Sequence, residues 1–574
     1  MAIFAARNLR FLSISILIIT LIGCHTGCED TDRIEEYPIA SDVFTTLQQT
    51  VVPDPIPSYS EEVLPDEVSK YEKNGYGSWH FGPGADSEKR LDIMPTGYDS
   101  GPVTNTARLL NFFAITDIHI TDEESPAQRI YFGYKGSSSS AYSPVMLYST
   151  QLLDAAIRTI NAIHVQKPFD FGISLGDAVN NTQYNELRWY IDVIDGKIIN
   201  PDSGTKDDPV TGPGNDYQDQ FKAAGLDKTI NWYQTIGNHD HFWMGLNVVD
   251  DYLRPAYTGE EIIHMIDAAA DPIDLESRGF YMGSIDGATI YGDIIGVGPV
   301  EDFAEPPKVT AADPNRRSLT IKEWIGEFYN TTSNPPGHGF STENLDNGFA
   351  SYSFEPKSDI PFKVIVLDNT QSEVEPLDIG YGHGSLDKTR YDWLISELDK
   401  GQKEDKLMII AAHIPIGVEV DDGGPGSSMA WSASAYVTEK DLITKLHEYP
   451  NLVLWIAGHR HRNKISAFMS PDPNRPELGF WQIETSSLRD FPQQFRIFEL
   501  VRNSDNTVSI ITANVDPAVK EGSLAEKSRF YAVAAQLIFN KKESTMSDGV
   551  CNAELVKQLS PEMQERIKNC GSLL

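Results

Sequence analysis

The segment LNFFAITDIH, residues 110–119, is an apolar run of strand length that ends in an aspartate and a histidine. Six further segments repeat this pattern, with a short run rich in Val, Ile, Leu or Phe followed by polar residues. They are FDFGISLGD (169–177), NWYQTIGNHD (231–240), PFKVIVLDN (361–369), KLMIIAAHIP (406–415), NLVLWIAGHRH (451–461) and LGFWQIETSS (478–487). Short continuous apolar runs of this kind are typical of buried strands. The sequence therefore predicts a core of strands, several of which end in polar side chains.

Helical patterns lie between some of the predicted strands. They cover residues 144–163, 387–398 and 438–448. Because strands that alternate with helices are typical of layered α/β folds, we predict an α/β fold. The later segment FRIFELVRNSDNTVSIITANV, residues 495–515, predicts a β-hairpin that turns at Asp505-Asn506.

Two long stretches interrupt this alternation. Residues of about 196–227 and 246–348 are rich in Gly, Pro and Asp, and we interpret them as loop-rich insertions that form a cap near the site. The predicted main domain, residues 96–515, contains both insertions. A helical and peripheral C-terminal extension is expected to follow it, at residues 516–574.

The N-terminal residues resemble an export signal. Arg7 and Arg10 precede an apolar run that is too short for a typical membrane-spanning helix, so residues 1–23 are predicted to be a signal peptide. The run ends in LIGC, which resembles the lipobox of bacterial lipoproteins and implies lipidation of Cys24. The alternatives are an ordinary cleaved signal or an uncleaved anchor. We expect an exported lipoprotein, periplasmic or at the cell surface and otherwise secreted, attached to a membrane surface through Cys24.

Composition and charge limit the kinds of molecule that the protein is expected to bind. Residues 24–95 are acidic and Pro-rich and are predicted to be a tether between the lipid and the domain. The net charge of −36 repels nucleic acid, so we expect no nucleic-acid partner. Small phosphoesters remain possible, because bound metal ions set the local field in a site. The oligomeric state does not follow from the sequence.

The polar residues at the strand ends carry the chemistry. In open α/β sheets, ligands bind beyond the carboxyl ends of the strands, so these groups are expected to converge. The predicted metal ligands are Asp117, His119, Asp177, Asn238, His413, His459 and His461. Such nitrogen and oxygen donors suit Mn, Fe or Zn. Seven ligands are too many for one tetrahedral zinc ion and fit two ions that share a carboxylate. A glycine precedes three of the ligands, where we expect it to permit a tight turn.

The motif order D-x-H, GD, GNHD, H, GHxH resembles that of the calcineurin-like metallophosphoesterase superfamily. The stretch from NGFASYSFE to the helix containing YDWL supports the resemblance, which covers roughly residues 111–499. It implies a layered metallophosphoesterase-like β-sandwich flanked by helices. It also implies that Asp177 bridges two metal ions. Asp117, His119 and His461 would bind the first ion, and Asn238, His413 and His459 would bind the second.

The same resemblance implies a catalytic role for His239. This histidine would lie near the substrate phosphate and stabilise charge or protonate the leaving oxygen, while Asp240 orients it. The implied reaction is hydrolysis of a phosphoester, mono- or diester, by a hydroxide that bridges two metal ions. The alternative is a surface-anchored binding protein on the same scaffold with little or no catalysis.

Two further residues are candidates for contact with substrate. Asn181 lies in the AVNN segment after Asp177, where its amide could meet substrate or water, or could instead cap a local loop or helix. Arg460 lies between two predicted ligands and could pair with a phosphate or with a carboxylate.

Overall fold

The apolar part of the first predicted strand, residues 110–115, lies inside an eight-stranded sheet, and a six-stranded sheet packs against it. The computed structural model describes residues 43–58, 60–136, 141–205, 207–265, 279–375, 381–418, 431–540 and 552–574. All of them belong to one compact unit, Thr31–Leu574. Cys24 and Cys551 lie outside the described residues. Among the described helices, none combines the length and the apolar character needed to cross a bilayer.

The helices and strands alternate along much of the chain. The strands are β1 (Gln49–Pro53), β2 (Trp79–Pro83), β3 (Glu88–Arg90), β4 (Asn105–Ile115), β5 (Phe171–Ser174), β6 (Ile198–Ile199), β7 (Phe221–Lys222), β8 (Trp232–Gln234), β9 (His264–Met265), β10 (Phe280–Asp286), β11 (Asp293–Pro299), β12 (Tyr352–Phe354), β13 (Phe362–Leu367), β14 (Leu407–Ala412), β15 (Leu452–Ala457), β16 (Lys464–Phe468), β17 (Phe480–Glu484), β18 (Phe495–Asn503), β19 (Val508–Val515), β20 (Ala553–Lys557) and β21 (Ser572–Leu573). The helices are α1 (Ile130–Gly136), α2 (Ser149–Gln166), α3 (Tyr184–Asp195), α4 (Leu253–Thr258), α5 (Ile321–Glu327), α6 (Thr342–Asn347), α7 (Lys388–Lys403), α8 (Glu439–Leu446), α9 (Leu524–Asn540) and α10 (Pro561–Ile567).

Each of the two large sheets contains a group of parallel strands, and the predicted ligands follow the carboxyl ends of these strands. In the eight-stranded sheet the order is β3-β20-β19-β18-β4-β5-β8, with β21 added beside β4, and β4, β5 and β8 run parallel. In the six-stranded sheet the order is β12-β13-β14-β15-β17-β16, and the strands from β13 to β17 in this order run parallel. The predicted hairpin is confirmed as β18 and β19, with Asn506 in the turn at φ 62°.

The core lies between the sheets and between each sheet and its helices. The ring of Tyr233 on β8 stacks on Phe354 of β12 with centroids 3.6 Å apart, which joins the two sheets. On the outer face of the six-stranded sheet, Ile365 and Ile410 pack in one cluster with Leu394 of α7 and Leu442 of α8. Alternate residues of the same strands face the other sheet, as the period of two in a β-strand requires. The α/β fold of layered sheets and flanking helices is therefore observed.

The longer insertion contains more regular structure than predicted. Residues 246–348 include a three-stranded antiparallel sheet, β9 to β11, as well as α4, α5 and α6. Met265 and Met282 of this sheet are buried in a cluster with Trp243 and Ala127. Gly283 interrupts the central strand β10, and Gly279 and Gly287 flank it, which explains why the sequence predicts a loop.

Both ends of the predicted main domain need correction. The extension at residues 516–574 is not simply helical and peripheral, because β20 pairs with β19 and β21 pairs with β4. Part of the predicted tether also belongs to the domain, since Glu88–Arg90 pairs with β20 and Tyr71 packs on Tyr531. The pairings of β3 with β20, of β21 with β4 and of Tyr71 with Tyr531 join segments hundreds of residues apart, and no local pattern in the sequence signals them.

Candidate metal centre

Five strand ends place the predicted ligands in one region. Asp117 and His119 follow β4, Asp177 follows β5 and Asn238 follows β8, all from the eight-stranded sheet. The six-stranded sheet contributes His413 after β14, and His459 and His461 after β15. The site therefore lies where the carboxyl ends of parallel strands from both sheets meet.

The ligands on the first side form one cluster of nitrogen and oxygen donors. One donor atom each from Asp117, His119 and His461 lies within 4.8 Å of the others. The Nε2 atoms of His119 and His461 are 3.2 Å apart, and His461 Nε2 lies 3.4 Å from Asp117 Oδ1. These side chains point at a common centre.

The ligands on the second side form a similar cluster. His413 Nε2 lies 3.0 Å from Asn238 Oδ1 and 3.3 Å from His459 Nδ1. Asn238 Oδ1 also lies 3.1 Å from His459 Nδ1, while the amide nitrogen of Asn238 donates to the carbonyl of Gly245 at 3.0 Å. This last bond fixes the amide so that its oxygen faces the two imidazoles.

Asp177 lies between the two clusters. Its Oδ2 is 3.7 Å from His119 Nε2 and 3.2 Å from His413 Nε2. Its Oδ1 accepts a hydrogen bond of 2.8 Å from the backbone N–H of His239. One carboxylate oxygen of Asp177 is thus directed at both donor sets.

The electrostatics of the centre favour positive charge at two points. Burial alone would lower the pKa of His461, but Asp117 and Asp490 raise it to about 10. Burial is likewise outweighed at His413, where Asp177 raises the pKa to about 9. The remaining two imidazoles, His119 and His459, have pKa values well below the usual range, first because of burial and then because other histidines are close. In each cluster, neighbouring carboxylates thus offset the cost of burying a positive charge at one histidine.

The donor set fits two metal ions. Imidazole nitrogens, carboxylate oxygens and an amide oxygen are ligands that Mn, Fe and Zn accept. Within each cluster, two imidazole nitrogens lie close together, at 3.2 Å in the first and 3.3 Å in the second. A cation that both nitrogens bind accounts for this spacing better than a single shared proton does. The buried His/Asp groups can hold two metal ions, one on each side of Asp177. A third possible group consists of His119, Asp177 and His239.

Five of the ligands have a left-handed backbone conformation. Their φ angles are 50° at Asp117, 49° at His119, 50° at Asp177, 72° at His459 and 52° at His461. Such angles are uncommon for residues other than glycine and typically cost about 1–3 kcal/mol each. The backbone of His119 is held there by a hydrogen bond of 3.1 Å to the carbonyl of Asp177. Strained residues gather at functional sites, which agrees with a metal centre here.

The glycines before the ligands are required for two different reasons. Gly176 has φ 98° and permits the predicted turn. Gly237 and Gly458 lie instead in close backbone contacts, because a Cβ atom on them would come within 2.2 Å of Asp177 Oδ1 and 2.0 Å of Thr116 Oγ1. At these two positions the glycine is required by close packing around the ligands and not by the tight turn that the sequence predicts.

His239 and Asp240 do not form the predicted pair. His239 Nδ1 lies 2.7 Å from the carbonyl oxygen of Asn180, which orients the ring in place of Asp240. The carboxylate of Asp240 accepts hydrogen bonds from the backbone N–H groups of Asp177, Ala178, Val179 and Gly237. Asp240 therefore joins the loops after β5 and β8, and burial raises its pKa to about 8.

The two candidate substrate contacts also need correction. The Asn181 amide donates to the carbonyl of Ala127 at 3.0 Å, and its oxygen accepts from Met244 N at 3.1 Å and Tyr257 Oη at 2.9 Å. Arg460 pairs with the buried carboxylate of Glu484, with two nitrogen–oxygen distances of 2.6 Å. Both side chains are thus engaged within the protein, because buried polar groups must find partners.

Sequence reasoning missed two charged residues beside the centre. Asp490 Oδ2 lies 2.6 Å from Nδ1 of His461, and Arg489 donates to Asn180 Oδ1 at 2.8 Å. Arg489 is buried, and its charge helps to lower the pKa of His119 and His239 after the larger effect of burial. The only local signal is that both residues follow the last predicted strand, LGFWQIETSS, as other site residues follow theirs.

Comparison with known proteins gives matches among solved structures. No protein-family model matches the chain. No curated protein matches it either. Among the solved structures that match is that of a dimetal phosphatase from Danio rerio, which is 11% identical, with 72% of this chain and 97% of that chain covered and a TM-score of 0.35. The chemistry of this chain is therefore inferred from its own side chains.

Proposed function

We propose that this protein is a metal-dependent hydrolase of phosphoester bonds with a dinuclear centre. The observation that supports this most strongly is the position of Asp177, whose Oδ2 faces His119 of one donor cluster and His413 of the other. A carboxylate shared by two metal sites is suited to holding two cations close together. Such pairs, about 3.5–4 Å apart, clamp both the attacking and the leaving oxygen of an in-line displacement at phosphorus.

When bound, two cations would polarise the phosphoryl oxygens and make a water molecule acidic enough to attack near neutral pH. Seven residues would hold them: Asp117, His119 and His461 on the first side, Asn238, His413 and His459 on the second, and Asp177 on both. The side chains are positioned before any metal arrives by bonds to the backbone. His413 Nδ1, for example, lies 2.9 Å from the carbonyl oxygen of Leu175, which leaves Nε2 for the metal.

His239 is positioned to donate a proton to the leaving oxygen of the substrate. Its Nδ1 donates to Asn180 O, so the neutral ring carries its unprotonated nitrogen at Nε2. The His239 ring lies edge-on to His119, with centroids 4.6 Å apart, and is therefore adjacent to the first donor cluster. We propose that Nε2, once protonated, donates to the departing alkoxide or phenoxide. Burial lowers the pKa of His239, which favours release of that proton.

The decisive experiment combines elemental analysis with a phosphoester panel on the same purified protein. We expect about two equivalents of Mn, Fe or Zn per chain and hydrolysis of p-nitrophenyl phosphate, bis(p-nitrophenyl) phosphate or both. The faster of the two substrates assigns the monoester or diester preference. The D177A variant should lose metal and activity together, whereas the matched exposed-acid control D302A should keep both.

The same preparation tests the alternative of a binding protein. A chain that binds no metal and shows no turnover after Mn, Fe or Zn is added would refute the hydrolase and favour a binding function. Cleavage of DNA at physiological salt would contradict the further proposal that the acidic surface excludes nucleic acid as a substrate.

A further inference from the structure

A second group of acidic side chains lies where the shorter insertion meets the loop after β4. Glu124 belongs to that loop, and Asp202 and Asp207 belong to the insertion at residues 196–227. One oxygen atom from each of the three carboxylates lies within 4.8 Å of the others. Glu124 is only 3% exposed. Carboxylates this close repel one another unless protons or a cation are present.

A buried glutamine points to a ligand at the same place. Gln218 is 2% exposed, and within the part of the chain that the structure describes, neither its side-chain oxygen nor its side-chain nitrogen has a hydrogen-bond partner. A Cβ atom on Gly287 would lie 2.4 Å from Gln218 Nε2 and 2.6 Å from Glu124 Oε1, so the amide and the carboxylate adjoin over this glycine. Buried amides in proteins are normally paired, so an unpaired amide beside carboxylates supports a ligand at this place.

The charges around these groups are incompletely balanced. Burial, followed by the charges of Asp122 and Asp207, raises the pKa of Glu124 to about 9. Burial and then Glu124 raise the pKa of neighbouring Glu123 well above its usual range, and Glu123 Oε1 is buried without a partner. Arg316 acts on Glu124, but its Nε pairs with Asp122 at 3.2 Å. A divalent cation would allow these carboxylates to ionise.

We propose that Glu124, Asp202, Asp207 and Gln218 form a binding site for Ca²⁺ that is separate from the dinuclear centre. Every donor in the group is an oxygen once the Gln218 amide turns by half a rotation, and hard cations prefer oxygen ligands. The donors come from three separate positions in the chain, which suits the irregular coordination of Ca²⁺ better than the strict octahedron of Mg²⁺. Nitrogen and sulfur donors, which favour zinc, do not belong to the group.

A cation at this site would hold separate loops of the fold together. Glu124 lies five residues after His119, while Gln218 belongs to the shorter insertion and Gly287 to the turn between β10 and β11. A bound cation would connect the shorter insertion to the loop that carries Asp117 and His119, beside Gly287 of the longer insertion. This inference does not depend on the proposed phosphoesterase activity.

Thermal unfolding with and without Ca²⁺ tests the proposal. With about 1 mM CaCl2, a concentration that fills extracellular calcium modules, the apparent Tm of the parent protein should rise by about 2 °C or more. The E124Q and Q218M variants should weaken Ca²⁺ binding by at least about tenfold, because each removes a donor. In calcium-free buffer both should be as stable as the parent or more stable, because each relieves an unsatisfied buried group. This opposite sign separates loss of a ligand from simple misfolding.

Three controls locate the cation. The D177N variant and the exposed-acid variant E305Q should retain the full Ca²⁺ shift, and Mg²⁺ should give a smaller one. The proposal fails if the parent shows no Ca²⁺ shift, or if E124Q and Q218M retain it. It also fails if D208N, in the neighbouring acidic group with Asp216 and Asp219, abolishes the shift while E124Q does not.

Discussion

Asp490 Oδ2 lies 2.6 Å from Nδ1 of His461, so a carboxylate outside the predicted ligand set orients an imidazole inside it. His461 is the most exposed of the seven predicted ligands, with 19% of its side chain accessible, and its ring is therefore the least confined by packing. The carboxylate fixes the tautomer that presents Nε2 to the first cluster.

We predict that D490N weakens metal binding at the first site by about 10–100-fold, as the loss of such supporting carboxylates usually does. The second site should retain its affinity. Titration with Zn²⁺ in competition with a chromogenic chelator measures the two affinities. D490E, which restores the charge, should recover part of the loss. Equal affinities in D490N and the parent would show that Asp490 does not position His461.

Removing single ligands should separate the two sites. We expect H461A to retain about one metal equivalent, because only the first cluster loses a donor, and H413A to retain about one for the same reason in the second cluster. D177A should retain neither at full occupancy, since both clusters use this carboxylate. Elemental analysis after gel filtration gives the stoichiometry. Identical metal contents in all three variants would contradict the shared position of Asp177.

His239 should matter most for poor leaving groups. For alkyl phosphoesters, whose leaving oxygen needs a proton, H239Q should lower kcat by about 10²–10⁴-fold. For p-nitrophenyl esters, whose leaving group is already a weak base, the decrease should be much smaller. Metal content serves as the control and should not change. A uniform decrease across leaving groups, or loss of metal, would assign His239 a structural or ligand role instead.

His338 should make the fold sensitive to acid. Its Nδ1 lies 3.1 Å from the carbonyl oxygen of Trp232 and its Nε2 lies 3.2 Å from Thr331 Oγ1, a pattern that fits the neutral ring. Burial lowers its pKa from 6.5 to about 4. Because the pKa is depressed in the folded state, this stabilisation is complete above about pH 6.5 and is lost as the pH falls toward 4.

The H338N variant tests this pH dependence, since asparagine tolerates the left-handed backbone at this position, where φ is 43°. Denaturant unfolding of both proteins should show that the free energy of unfolding declines less steeply in H338N between pH 6.5 and 4. Parallel pH profiles for the two proteins would exclude His338 as a source of the acid sensitivity.

Lipidation at Cys24 remains a prediction of the sequence. In a bacterial host, the full-length protein should sediment with membranes, and C24S should appear in the soluble fraction because no acyl chain can be attached. Metabolic labelling with a palmitate analogue provides a direct readout. Membrane association that persists in unlabelled C24S would indicate an uncleaved anchor.

Local patterns in the sequence were enough to predict the strands that carry the site and the type of ligand that follows each of them. LNFFAITDIH and NLVLWIAGHRH are local patterns, and the apolar run and the donors after it are read from neighbouring residues. Parallel strands place their carboxyl ends together, so the convergence of Asp117, Asp177 and His459 followed from the same patterns. The hairpin of β18 and β19 was also local, because its turn and both strands are contiguous.

Contacts between distant parts of the chain settle which polar groups pair within the protein. Arg460, which the sequence left open to a phosphate or a carboxylate, pairs with Glu484, and Asp240 binds four backbone N–H groups instead of His239. Asp490 reaches His461 from a separate loop, and Gln218 and Glu124 lie beside the same glycine, Gly287, although they are distant in the chain. A buried polar side chain pairs with a group that is near it in space. When that group is far away along the chain, no local pattern in the sequence indicates the pairing.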